Sequence, residues 1–380
     1  MSLSKKIFIT SSVLLAVVLI FWGIYNLSFS NKNEEAAPKD SATTAAIDAK
    51  NTTAADAQIQ EISEEAVLAP YIDTKNFTIK YYAKENGHIY QIDFDGKHKK
   101  TISDINLPGL VDSKWSPDGT KVISKFLRGG AIQFSYYNFI AKKNTPLNSN
   151  MSNIVWQNDN KIFYTYYDAK AQQHTLNISN PDGSDWARIT SLTHGNISIA
   201  QIPRTGLVSF WNTPNAFFET DFESTLVIGG ENKPILKEKF GADYLWNNNG
   251  TYVLAGHADQ KNGSKIQLSI INNKGGEYKN LGIETFVSKC AWSKDNKTIY
   301  CALPNSLPTN VILPNDYQDK KFSTQDSFWK FDVITGEKAK LLGIDKMPGD
   351  IDAENLFFNA DESMLFFINR LNGKLYKIDL

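Results

Sequence analysis

Lys114-Trp-Ser-Pro-Asp-Gly-Thr-Lys-Val122 recurs as Ala291-Trp-Ser-Lys-Asp-Asn-Lys-Thr-Ile299. Weaker copies stand at Trp156-Gln-Asn-Asp-Asn160, Trp246-Asn-Asn-Asn-Gly250 and Phe358-Asn-Ala-Asp-Glu362. In each copy an aromatic residue ends one apolar stretch, a polar turn follows, and a second apolar stretch begins. Pro117 pre-sets the φ angle of such a turn, and Asp118-Gly119 suit its tight end. A unit of this kind repeated every ~40–50 residues is the mark of a stacked array, and short alternating strands make it a β-propeller. The residues that carry the pattern are Trp115, Ser116, Pro117, Asp118, Gly119, Trp156, Trp246, Trp292, Ser293 and Asp295.

Working outward, Val122 to Phe126 reads as the strand after the turn. His88 to Phe94 alternates with period two, Asp95-Gly96 turns, and Lys99 to Ile102 follows as an outer strand. The same phrase returns at Thr175–Ser184, Gln267–Gly276, Phe328–Gly336 and Leu375–Leu380. Joined up, the repeats run 67–106, 107–151, 152–195, 196–241, 242–284, 285–350 and 351–380. This predicts an all-β propeller over 66–380 with about seven four-stranded blades, six or eight fitting the same length. The last repeat lacks its outer strand, and the segment Ala66–Ile72 is expected to supply it and close the ring.

Trp-Ser-Pro-Asp-Gly with a following Ile-Tyr-x-x-Asp and Asp-Gly turn resembles the TolB-type, WD40-like propeller repeat, strongly at 111–126 and 286–301. The resemblance implies a propeller; similar repeats occur in a periplasmic protein that binds envelope partners and in the lids of prolyl oligopeptidase-like peptidases. No Gly-x-Ser-x-Gly elbow stands here to support peptidase chemistry.

The N-terminal part reads differently. Residues 1–6 form a short basic start, and 7–27 is an uncharged run of about 21 residues, enough to span a ~30 Å hydrocarbon core. Lys5 and Lys6 precede it, so the positive-inside rule keeps the N-terminus cytoplasmic and places the propeller outside, in the periplasm or at the cell exterior. Residues 28–65 are poor in large apolar side chains and read as a flexible, disordered linker. The expected partners are thus the lipid bilayer through 7–27 and another envelope protein. The whole chain carries −1, and setting aside Lys5 and Lys6 leaves −3 outside the membrane, which excludes a broad grip on nucleic acid.

Cys290 and Cys301 are the only cysteines and flank the turn at Asp295-Asn296, a spacing that faces them across a hairpin and predicts a disulfide. His88, His98, His174, His194 and His257 show no metal-ligand spacing. The Asp-Gly turns at 95 and 182 are explained by turn geometry without calcium. No cofactor is implied. Residues 303–327 lengthen the sixth repeat by about 20 residues, and loops this long are uncommon unless they serve a function. Val311, Ile312, Leu313, Asp316, Tyr317 and Phe322 are its candidate binding residues, with a structural cap over the channel as the competing reading. The aromatics Tyr164, Tyr166, Tyr167, Phe217 and Phe218 read mostly as blade packing, and the segment Trp211–Phe218 as the best sugar-stacking candidate. Protein binding or envelope scaffolding is the leading function. A glycan-binding protein, or a hydrolase or lyase acting in the channel, is the alternative.

Overall fold

The computed structural model describes residues 59–380. The expected basic start (1–6), membrane span (7–27) and most of the linker (28–58) lie outside the described residues. Among the described residues no helix is long and apolar enough to cross a membrane.

Seven four-stranded antiparallel sheets follow one another along the chain. Blades 1 to 6 occupy 67–103, 110–146, 151–192, 197–236, 243–283 and 290–342, each with its strands in chain order A, B, C, D. The A strands of neighbouring blades lie beside one another. The repeat boundaries expected from the sequence fall within a few residues of these blades, although Met151, expected to end the second repeat, opens blade 3.

Blade 7 corrects one expectation. Its outer strand is Ile59–Glu61, which pairs antiparallel with Leu375–Asp379. The segment Ala66–Ile72, expected in that slot, instead falls in Val67–Asp73, the A strand of blade 1. Ile59 packs on the cluster between blades 6 and 7, and Glu61 accepts hydrogen bonds from Lys374 Nζ (2.7 Å) and Tyr376 Oη (2.8 Å). The end of the predicted linker, 59–65, therefore belongs to the propeller. Its short polar-rich strand has too few large apolar residues to stand out in the sequence. First and last segments of the described chain share one sheet, so the ring has no open blade.

Each seam between blades holds its own apolar cluster. Ile79, Tyr81 and Ile92 of blade 1 meet Phe366, Ile368 and Leu375 of blade 7, and Phe163 and Leu176 of blade 3 meet Val208 and Phe210 of blade 4. Burying both faces of every blade this way supplies the core of a propeller.

The repeated tryptophans staple the seams. The indole N–H of Trp115 donates to the Ala69 carbonyl at 2.9 Å, that of Trp156 to Lys114 at 2.7 Å, and that of Trp292 to Leu245 at 3.0 Å. Each acceptor lies on the A strand of the preceding blade, one repeat upstream. Trp246 reaches Ser209 Oγ instead, at 2.8 Å. Below the tryptophans the polar turns close on themselves. Asp118 accepts from Ser116 Oγ (2.6 Å) and the Thr120 amide (3.0 Å), and Asp295 accepts from the Lys297 and Thr298 amides, both at 2.8 Å. Gly119 sits at φ +64, where a Cβ would strike the Tyr71 ring. Ser293 Oγ donates to Glu362 of the blade 7 turn at 2.7 Å. The repeat residues thus hold blade to blade.

Candidate functional site: the loop-bearing mouth

The connections between strands B and C, and between one blade and the next, emerge at the end of the propeller opposite those turns. At this end the loops of blades 4, 5 and 6 mesh through their backbones. The Asn262 amide donates to the Ala216 carbonyl (3.0 Å), Leu313 N–H to Gly263 (2.9 Å), and Ala216 N–H to the Asn315 side chain (2.8 Å). A continuous ledge results.

The long excursion of blade 6 leaves strand B at Pro304 and rejoins the blade at Asp326. It is folded rather than loose, with one helical turn at Asn315–Gln318. Leu313 and Tyr317 are buried against Ile266 and Phe286, with Val311, Leu307 and Phe322 partly buried around them. The Tyr317 ring stacks on Phe286 at a centroid distance of 4.1 Å. Asp316 braces the turn, accepting from the Ile312 amide at 2.7 Å and from Lys321 Nζ at 2.6 Å. The Lys321 hydrogen bond, with that amide, holds the Asp316 carboxyl below the usual carboxylate range. Of the candidate binding residues, Leu313 and Tyr317 face inward, Val311, Ile312 and Phe322 are half-buried, and Asp316 serves the loop itself.

Beneath the loop lies a buried charge network that sequence reasoning missed. Lys289 is fully buried, and its ammonium donates to Asp326 (2.6 Å), Asp352 (2.7 Å), Thr324 Oγ1 (3.0 Å) and the Ala353 carbonyl (3.0 Å). Tyr317 Oη donates to Asp352 at 2.6 Å, and Arg370 lies over the Tyr317 ring at 3.9 Å while donating to the Tyr317 carbonyl at 3.0 Å. Two cations thus face two aspartates, the balance that a buried ionic cluster requires. Burial pushes the Asp326 carboxyl above its ordinary value against the pull of Lys289. Burial also acts to raise Asp352, but Lys289, Tyr317 and the Thr324 amide outweigh it and hold this carboxyl low. Burial and the Asp352 charge push the Tyr317 hydroxyl far up, so it remains a donor. A lysine between Ser288 and Cys290 looks like any surface lysine in the sequence, because its partners stand 35 to 64 residues away.

A cavity of about 280 Å³ opens beside the loop, lined by Asp243, Phe286, Tyr317, Lys320, Glu354 and Arg370 among others. Burial raises the carboxyl pKa of both Asp243 and Glu354, the latter against the attraction of Arg370. Trp211 Nε1 donates to Asp243 Oδ1 at 3.0 Å. Trp211 itself is buried edge-on against Phe222 and Tyr244, which leaves no face for the sugar stacking expected of it. Phe217 and Phe218, read as packing, are instead 40% and 67% exposed on the ledge. Both follow Pro214 in a loop, so strand alternation did not govern them.

Cys290 and Cys301 face each other in the ladder and are joined by a disulfide. No group of three or more His, Cys, Asp or Glu placed to hold a metal occurs among the described residues. His257 is buried, its Nε2 3.0 Å from Tyr278 Oη, and burial lowers its pKa.

No protein-family model matches the chain, and no curated protein matches it. Among solved structures it is similar to an oligogalacturonate lyase of Vibrio parahaemolyticus, at 10% identity over 84% of this chain and 93% of that one, with a TM-score of 0.60. A second oligogalacturonate lyase, in complex with manganese, is 11% identical over 86% and 91% of the two chains, with a TM-score of 0.55. The Cps50 (Swd1) β-propeller domain of Myceliophteria thermophila is 9% identical over 85% and 99%, with a TM-score of 0.53. At such identities the likeness establishes the propeller fold and leaves activity to the site.

Proposed function

We propose that this propeller is a protein-binding module of the cell envelope. In this reading residues 7–27 anchor it in the membrane and the loop-bearing face meets another envelope protein. The observation that supports it is the pair Phe217-Phe218, exposed on a ledge whose backbone is tied to two other blades. Exposed aromatic anchors on a preorganised support are the usual centre of a binding hot spot, since little ordering entropy is lost on contact. The packed loop 303–327 then acts as the buttress of that surface.

The test is in-cell photo-crosslinking of the full chain from position 218, with position 294 on the opposite face as control. A discrete adduct from 218 that is absent from 294 is expected. Identical patterns from both positions, or no adduct from 218, would refute the reading.

A second reading is glycan cleavage at the mouth. It draws on the two burial-raised carboxylates Asp243 and Glu354 lining one cavity beside Arg370, and on the propeller shared with the two lyases. Turnover of oligogalacturonate by the purified chain, abolished by Glu354→Gln, would favour it over the first.

A further inference from the structure

The seam between blades 1 and 2 opens into a groove of about 640 Å³, within the range of small-ligand sites. Its floor is one face of the blade 2 hairpin. Val122, Ser124, Phe126 and Arg128 alternate along strand B, and Tyr137 and Ser135 stand opposite Val122 and Ser124 on strand C. The two serines facing each other in mid-floor explain the opening. In the matching repeat, aligned on Trp115 and Trp292, Cys301 and Trp329 hold these two places. Blade 6 packs that indole against its seam, whereas the small Ser135 side chain leaves the blade 2 seam open. The opposite wall is apolar, formed by Ile89 and Ile102 of blade 1 and by Ile105 and Leu107 of the connection that follows it. Ile105 stays 63% exposed, and Leu107, Tyr137 and Phe139 are half-buried.

The polar groups of the lining sort by position. Ser124 Oγ lies 2.8 Å from Ser113 Oγ, and Ser135 Oγ donates to the Asn144 side chain, so both floor serines already have partners. An occupant of this stretch gains from apolar contact rather than from hydrogen bonds to them. The charges stand toward the ends, Arg128 where strand B closes and Lys142 in the C–D turn, with Asp104 as the one carboxylate of the lining. None of the three forms an ion pair among the described residues. Arg128 is held in place. Its guanidinium lies 4.0 Å from the Phe126 ring centre, and its Nε donates to the Pro108 carbonyl at 3.2 Å. Both Nη groups remain available, and a planar guanidinium fixed in this way suits a bidentate carboxylate. From Val122 to Arg128 the floor runs about 20 Å at roughly 3.3 Å per residue, the reach of an extended chain of about 16 carbons.

We infer that this groove binds a long-chain fatty acid. The carboxylate meets the Arg128 guanidinium. The alkyl chain lies over Ser135, with Tyr137 and Phe139 on one side and Ile102 and Ile105 on the other. Lys142, an exposed lysine without such bracing, stands beyond the tail.

The experiment irradiates the purified full chain with hexadecanoate carrying a mid-chain diazirine and maps the adducts by peptide mass spectrometry. The adduct should fall within 102–107 or 135–139. Unlabelled hexadecanoate should compete it away at about a tenth of the concentration that 1-hexadecanol needs. Arg128→Gln should erase that preference for the acid and leave competition by the alcohol as it was. Ser135→Trp, which copies the blade 6 filling, should abolish the adduct while keeping the melting temperature. Phe218→Ser should change nothing, which separates this groove from the proposed protein contact. No adduct in either segment, equal competition by acid and alcohol, an acid preference that survives Arg128→Gln, or an adduct undiminished in folded Ser135→Trp would each overturn the inference. Arg128 is exposed, so that variant folds whatever Ser135→Trp does.

Discussion

Lys289→Met keeps most of the stem volume and removes the ammonium that faces Asp326 and Asp352 at 2.6 and 2.7 Å. All three side chains are fully buried, so water cannot take over the lost interaction. Removing one partner of a buried ion pair costs about 3–5 kcal/mol, because the remaining charge stays desolvated. For a domain of about 320 residues an unfolding entropy near 2.1 cal/mol/K per residue turns that loss into a melting shift of about 4–7 °C.

The loss should depend on pH with a definite sign. Burial already raises the Asp326 carboxyl against the pull of Lys289, so without the ammonium it rises further and protonation relieves it, while Asp352 keeps Arg370, Tyr317 and Thr324. A raised carboxyl pKa in the folded state destabilises above that pKa and ceases to do so as the pH falls below the unfolded value. The gap between wild type and variant should thus be wide at pH 8 and narrow as the pH approaches 4. Adding Asp326→Asn should recover part of the loss at pH 8, since the amide oxygen can still accept the Ala353 N–H that Asp326 holds at 2.8 Å. Thermal and guanidinium unfolding followed by tryptophan fluorescence at several pH values measures all of this. A loss under about 1 kcal/mol, or one identical at pH 5 and pH 8, would refute the claim that the network is ionic and water-free. Hydrogen exchange of the 311–322 amides should accelerate in the variant, because Asp352 also holds Tyr317 and Thr324.

Other consequences are simpler. Reducing Cys290–Cys301, or replacing both by Ala, opens a loop with a separation of 11 residues and should cost about 2–3 kcal/mol, seen as a lower melting temperature in reductant. Trp115→Phe keeps the ring but strands the Ala69 carbonyl, and should cost about 1–2 kcal/mol in guanidinium unfolding. A chain beginning at residue 66 lacks Ile59–Glu61, leaves the edge of Leu375–Asp379 open, and should aggregate at concentrations where the full chain does not, measured by light scattering. Phe218→Ser should stay within about 0.5 kcal/mol of wild-type stability while losing the partner adduct, since the ring is exposed.

The fold and its blades were legible in the chain because a propeller repeats a local pattern. The tryptophan, the turn and the period-two strand lie within about 15 residues of one another, and alternation announces each strand wherever one face is buried. Cys290 and Cys301 were legible for the same reason, as their separation is set by one hairpin. What escaped was non-local. Ring closure by Ile59–Glu61 depends on a pairing across more than 310 residues, and three residues carry no periodicity to betray it. The inward turn of Leu313 and Tyr317, the exposure of Phe218 and the burial of Trp211 are properties of neighbours that only meet when the blades assemble. Lys289 shows the limit most plainly. Its residue type predicts a solvated surface, and only the tertiary structure, by bringing Asp326 and Asp352 within hydrogen-bond reach, makes the interior tolerable for its charge.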